Sequence, residues 1–351
     1  MSKDLSGLAA YGWSQFFQSQ LSVAELAGCA PVRVLAVHRN ALDVAGPHFA
    51  GRVPPIDGAE GEDQATVGDW LLVREPDGRP ERLLERKSLF KRRAAGTDAR
   101  VQLIAANVDT LFVVTSCNAD FNVARLERYL ALAREAGVTP VVVITKADLA
   151  EDAADYRADA ERLMPGLLVE TLDARIADEV AVLSPWYGKG QTVALVGSSG
   201  VGKSTLVNTL TGSDIETAGI REDDARGRHT TTGRALHRLP AGGWLIDTPG
   251  MRELQLTDAG EGIEAVFADI VALAGECRFA DCRHESEPGC AVQAALADGT
   301  LDRARYDRYL KLAREDARNA EAIHERRARE RGFGRMVKAA ATRKRDRQQG
   351  W

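Results

Sequence analysis

The segment GSSGVGKS, residues 197 to 204, follows the pattern G-x-x-x-x-G-K-S and lies between an apolar run, QTVALV, and a stretch of helical character that begins near Lys203. In that setting glycine lets consecutive backbone N–H groups turn toward phosphate oxygens, and the helix start adds the positive end of its dipole. Gly197, Ser198, Ser199, Gly200, Val201 and Gly202 are therefore expected to cradle phosphate with their backbone. Lys203 is expected to reach the β and γ phosphates and carry charge during their cleavage, Ser204 to bind Mg²⁺, and Thr205 to touch the α phosphate.

Further along, WLIDTPG has the form of a strand ending in Asp247-Thr248-Pro249-Gly250. A carboxylate at such a tip suits a magnesium-bound water, and the Gly250 amide suits the γ phosphate. Between these motifs, GRHTTTGR offers Thr230, Thr231 and Thr232 at the place of a threonine that closes on Mg²⁺ when the γ phosphate is present.

The run VVVITKADL, residues 141 to 149, ends in Thr145-Lys146-Ala147-Asp148. Guanine presents N1–H and its exocyclic amine side by side, and the Asp148 carboxylate is suited to accept both; adenine has no such pair. A site of this kind rejects the wrong base by ~10⁴ to 10⁵, because its polar groups are then left unpaired. The Lys146 stem would lie on the base, Ala147 would complete the loop, and Thr145, where many GTPases have Asn, would brace it. This base-reading segment precedes the phosphate loop, the reverse of the usual order. Strands of a parallel sheet are ordered in space, so joining the old ends and opening the chain elsewhere preserves the site. The order is that of a GTPase circularly permuted just after the D-x-x-G segment.

A third cluster, Cys277, Cys282, His284 and Cys290, has the spacing C-x4-C-x-H-x5-C. Three thiolates and an imidazole form a closed tetrahedral set, suited to a structural Zn²⁺ with no open position for chemistry. The other two cysteines, Cys29 and Cys117, stand apart and read as small buried side chains.

The elements that must position these groups are legible in the pattern of apolar residues. At 351 residues the chain is long enough for more than one domain, and its 44% apolar content supplies a core. No apolar stretch approaches membrane-spanning length, and the N-terminus lacks the form of a secretory signal, so a cytoplasmic protein without membrane contacts is expected, and it is expected to be a monomer. Residues 29 to 95 carry short alternating segments such as VRVLAVH and VGDWLLV, the pattern of a small OB-like β-barrel. Residues 96 to 255 alternate β-branched runs with helical periods, which predicts an α/β domain with a mostly parallel sheet. Residues 256 to 331 should form a mainly helical metal-binding domain, with an extension at 1 to 28 and a basic tail at 332 to 351. Ten basic residues and two acids between Arg326 and Arg347 give that end +8, against −5 for the whole chain. An acidic body with a basic end suggests a polyanionic partner. The connector residues Arg86, Lys87, Lys91, Arg92 and Arg93 are further candidates for RNA contact.

Taken together, the permuted motif order, DFNVARLERYLALA, GSSGVGKSTL, GRHTTT, IDTPGMRE and the cysteine-histidine spacing resemble the ribosome small-subunit-dependent GTPase A family from about residue 30 to 330. The resemblance implies an OB barrel, a permuted GTPase core, a zinc domain, and a role with 16S rRNA in maturation of the small (30S) subunit. It also implies that His229 takes part in hydrolysis, where Met251 replaces the glutamine that orients water in Ras-like enzymes. The alternative for His229 is contact with RNA or solvent. The chain departs from the family at VETLDA, where a Ser-Ala pair usually supports the guanine, so that contact is left unassigned. Two other readings stand beside this one: an ATP-using P-loop enzyme with a zinc module, which Asp148 opposes, and an RNA-binding scaffold with a vestigial nucleotide site, which the intact Lys203, Ser204 and Asp247 oppose.

Overall fold

The structure is a computed structural model that describes residues 6–75, 77–93, 101–212, 235–247 and 259–319. A 3₁₀ turn (Ser6–Tyr11) and two short helices, α1 (Gln15–Gln18) and α2 (Val23–Gly28), precede five antiparallel strands: β1 (Cys29–Val37), β2 (Leu42–Ala45), β3 (Ala50–Val53), β4 (Trp70–Arg74) and β5 (Pro80–Leu83). β1 pairs with both β2 and β4, and alternate side chains (Ala30, Val32, Val34, Val44, Leu71 and Val73 among them) fill one apolar interior. This is the OB-like unit. A hairpin of β6 (Leu89–Arg93) and β7 (Val101–Ala106) follows, its two strands standing on either side of the expected junction at 95/96.

The rest of the sheet is built from β8 (Thr110–Ser116), β9 (Thr139–Thr145), β10 (Leu168–Thr171), β11 (Thr192–Val196), β12 (Ala235–Arg238) and β13 (Trp244–Asp247). Their order is β10-β9-β8-β11-β13, all parallel, with β12 antiparallel on β13 and joined to β1. Consecutive residues of a strand point to opposite faces, and here both faces are covered. Val113, Val142, Ile144, Val196 and Ile246 pack on one side with α3 (Val123–Glu135), while Phe112, Val114, Val141, Val143 and Val193 pack on the other with α6 (Lys203–Thr211). α4 (Ala153–Glu161) and α5 (Ala177–Val180) complete the crossovers.

α3 is helical because Leu126, Tyr129, Leu130 and Ala133 recur at helical spacing, and the Asn122 side chain accepts a hydrogen bond from the Arg125 amide at its start. On its outer side α3 meets α7 (Gly260–Val266), where a Cβ at Gly262 would stand 2.1 Å from the Ala131 carbonyl oxygen. α8 (Ala268–Gly275), α9 (Ala291–Asp298) and α10, a helix over 303–319, form the C-terminal helical unit. Glu127 of α3 is fully buried, and Arg305 and Arg308 of α10 donate to it at 3.3 and 2.7 Å. Arg305 also holds Asp269 of α8, and Arg128 pairs with Glu315.

A second buried joint sits at Arg33. Its guanidinium donates to the carbonyls of Tyr11 (2.6 Å) and Asn107 (3.2 Å) and to the Thr192 hydroxyl (2.7 Å), tying the N-terminal extension, the barrel unit and the parallel sheet together. Tyr11 stacks on Trp244 and Trp13 meets Trp70 edge-on, so the extension docks on both units. Among the described residues no helix is long and apolar enough to cross a membrane.

Candidate nucleotide site and metal cluster

Three of the motifs found in the sequence leave the carboxyl ends of parallel strands: Thr145 ends β9, Gly197 follows β11, and Asp247 ends β13. In parallel sheets the crevice beyond those ends is where ligands bind. β11 lies between β8 and β13, and β9 lies on the far side of β8, so segments distant in the chain become neighbours.

The phosphate loop has the backbone its glycines imply. Gly197 has φ +149°, and a Cβ there would stand 2.2 Å from the Val114 carbonyl oxygen, so any side chain would force the loop off the sheet. Gly202 stands at φ +89° as the N-cap of α6. Lys203 is 8% exposed and its Nζ donates to the carbonyls of Gly197 (2.8 Å) and Ser198, which places the ammonium inside the loop.

The segment expected to read the base touches this loop directly. Thr145 is buried, and its Oγ1 lies 2.7 Å from the carbonyl oxygen of Val201 and 3.1 Å from that of Thr115. A hydroxyl at position 145 thus braces both the β8 end and the phosphate loop. Lys146 takes a left-handed conformation (φ +59°), which turns the chain into the short 3₁₀ turn Ala147–Leu149 and presents Asp148, 32% exposed, at the rim.

Profile comparison matches residues 83–257 to the RsgA GTPase family. The chain is 50% identical over 341 residues to "Small ribosomal subunit biogenesis GTPase RsgA 2" of Vibrio parahaemolyticus, covering 97% of this chain and 94% of that protein. It is 54% identical over 316 residues to "Small ribosomal subunit biogenesis GTPase RsgA" of Mesorhizobium japonicum, covering 89% and 90%. The chain belongs to the RsgA GTPase family. It is a GTPase. Among solved structures, YjeQ from Thermotoga maritima superimposes with a TM-score of 0.59 at 25% identity, covering 81% of this chain and 97% of that one. YloQ, described as a circularly permuted GTPase, gives 0.57 at 24% identity, covering 81% and 93%, and supports the fold. The permuted order expected from the motifs is thus the order of this fold.

The segment VETLDA, where no support for the base was assigned, reaches the site by a different chemistry. β10 lies beside β9, and the chain beyond it carries Arg175, whose Nη2 donates to Asp148 Oδ2 at 2.7 Å. The same guanidinium forks onto Asp173, a nearly buried carboxylate that Arg175 holds below its usual range. Neither residue stood out in the sequence, because the pairing becomes visible only when β10 is known to neighbour β9.

Cys277, Cys282, His284 and Cys290 come together with ligand atoms all within 4.8 Å of one another. Bond lengths of a tetrahedral thiolate-imidazole site imply sulfur pairs about 3.8 Å apart and sulfur–nitrogen pairs about 3.5 Å apart. Cys277 and Cys290 sulfurs are 3.9 Å apart, and His284 Nδ1 is 3.5 and 3.4 Å from them, so the cluster fits a metal ion. His284 reaches it through a left-handed backbone (φ +59°). The Glu287 carboxylate accepts the amides of Arg283, Glu285 and Ser286, which fixes this loop and draws its pKa down to about 2, the Arg283 amide contributing most.

Several side chains of the basic connector have partners within the fold. Arg86 is 11% exposed; it forks onto the fully buried Asp69 and donates to the carbonyls of Glu62 and Gln64. Four of its five N–H donors are thereby engaged within the fold. Lys91 pairs with Glu62, Arg92 with Gln102, and the Lys87 ammonium lies over the Phe17 ring. His229, Thr230, Thr231, Thr232, Gly250 and Met251 lie outside the described residues, as does the basic tail; at Arg93 and Asp247 the backbone alone is described.

Proposed function

We propose that this GTPase acts in biogenesis of the small ribosomal subunit, binding 16S rRNA on the 30S particle in the cytoplasm as a monomer, with turnover stimulated by the subunit. The names of the relatives, at 50% and 54% identity over most of the chain, support the biological role. The observation that carries the chemistry is the Thr145 hydroxyl on the Val201 carbonyl, which makes the base loop and the phosphate loop walls of one crevice.

In this reading Asp148 accepts N1–H and the exocyclic amine of guanine, and Lys146 lies along the base. The backbone of 197–202 and the Lys203 ammonium hold the phosphates, with Thr205 on the α phosphate. Ser204 and Asp247 would hold Mg²⁺, which neutralises charge on the β and γ oxygens, and Thr230 or Thr231 and the Gly250 amide would sense the γ phosphate. Met251 has no group to orient water, so His229 takes part in hydrolysis and unassisted turnover is slow. The cysteine-histidine cluster holds one structural Zn²⁺, supported by its closed set of three sulfurs and a nitrogen. RNA contact falls to Lys87, Lys91, Arg92, Arg93 and the basic end, where counterion release makes binding steeply salt-dependent.

The test is GTP turnover by the purified protein with and without purified 30S subunits. Strong acceleration is expected; equal rates would remove the subunit from the account.

A further inference from the structure

Arg175 stands at the base end of the crevice and is not free to swing. Its Nε lies 2.9 and 3.1 Å from Asp173 Oδ1 and Oδ2, its Nη2 lies 2.6 Å from Oδ2, and its own amide donates to Oδ1 at 2.9 Å. Asp173 is only 5% exposed, and its amide is held by Glu179 at 2.6 Å. The next carbonyl, of Ala174, accepts the Thr209 hydroxyl of α6, the helix that starts in the phosphate loop. From this anchored position Nη2 sends its remaining hydrogen to Asp148 Oδ2.

We propose that Arg175 is a positioning residue for guanine: bridged between Asp173 and Asp148, it holds the Asp148 carboxylate in the orientation that accepts N1–H and the exocyclic amine together. A carboxylate offers about four lone-pair sites, of which guanine takes two and Arg175 one, so the brace and the base are compatible. The bridge supplies from a side chain the support that the segment 171–175 does not supply with a Ser-Ala pair. It rests on the reading of Asp148 as the base-reading group.

The test compares GDP and IDP affinities, measured by calorimetry on the full chain, for the wild type, Arg175→Ala, Asp148→Asn and the double variant. IDP lacks the exocyclic amine and reports on a single hydrogen bond to the carboxylate. Because Arg175 is 66% exposed, its loss should weaken GDP by about two- to fivefold. IDP should weaken less, so the preference for GDP narrows, and in the Asp148→Asn background removing Arg175 should change nothing further. Asp173→Asn, which frees the guanidinium from its anchor, should reproduce the GDP loss. Unchanged or tighter GDP binding in Arg175→Ala, with Asp148→Asn still losing GDP, overturns the brace alone. An equal loss from Arg175→Ala in both backgrounds also overturns it. Asp148→Asn with full GDP affinity would remove the base site and the brace together.

Discussion

The charge expected on the phosphates has its neighbours close by in sequence. Lys203 finds the carbonyls of Gly197 and Ser198 within its own loop. Such residues are legible from the chain alone. Residues whose meaning depends on distant partners are not. The sequence does not show that Arg86 lies on Asp69, or that Glu127 meets Arg305 and Arg308 from far along the chain. Removing one partner from a buried pair leaves the other charge without compensation, at a cost of about 3 to 5 kcal/mol. Arg86→Ala should therefore lower stability by that order in denaturant unfolding. In contrast, Lys91→Ala, at a partly exposed pair with Glu62, should cost no more than about 1 kcal/mol.

At the scale of elements, helices and strands were readable wherever one period dominates. Within the alternation expected over 96 to 255, a helix forms over Val123–Glu135 and an apolar strand over Thr110–Ser116. Registers and joints were not readable, since Arg33 links β1 to Thr192 only through the folded sheet. α2 illustrates how one carboxylate fixes an element: Glu25 closes a capping box with Ser22 and accepts Arg82 at 2.5 Å. Arg82 chiefly, with the Ser22 amide, draws its pKa from 4.5 down to about 2. Its stabilisation is present above about pH 4.5 and is lost as pH falls toward 2. Thermal unfolding of wild type and Glu25→Gln should accordingly differ at pH 7 and converge near pH 2; a difference that persists there would contradict the assignment. The metal loop gives a second prediction at this scale. Structural zinc contributes much of the folding energy of small irregular units. Cys282→Ser, or chelation, should unfold the C-terminal unit by hydrogen exchange while GDP affinity stays within about twofold, the phosphate and base loops being built on the sheet.

For the whole molecule, permutation has a mechanical consequence. The chain leaves β13 at Asp247, the strand end beside the phosphate loop, and next appears as α7 packed on α3. The C-terminal unit is then fastened to α3 by the Glu127 and Arg128 pairs. Glu127→Ala should loosen that unit and weaken 30S binding without altering GDP affinity. The central claim is that Asp148 and Lys203, in inverted order along the chain, grip opposite ends of one nucleotide. The most direct measurement is binding of GDP and XDP to the wild type, Asp148→Asn and Lys203→Ala. Asparagine accepts N1–H and donates to the C2 carbonyl of xanthine, so Asp148→Asn should lose GDP by at least about a hundredfold and gain XDP. Lys203→Ala should weaken GDP, and in the double variant should weaken XDP by a similar factor. GDP affinity untouched by Asp148→Asn, or an XDP site in Asp148→Asn indifferent to Lys203, would contradict the account.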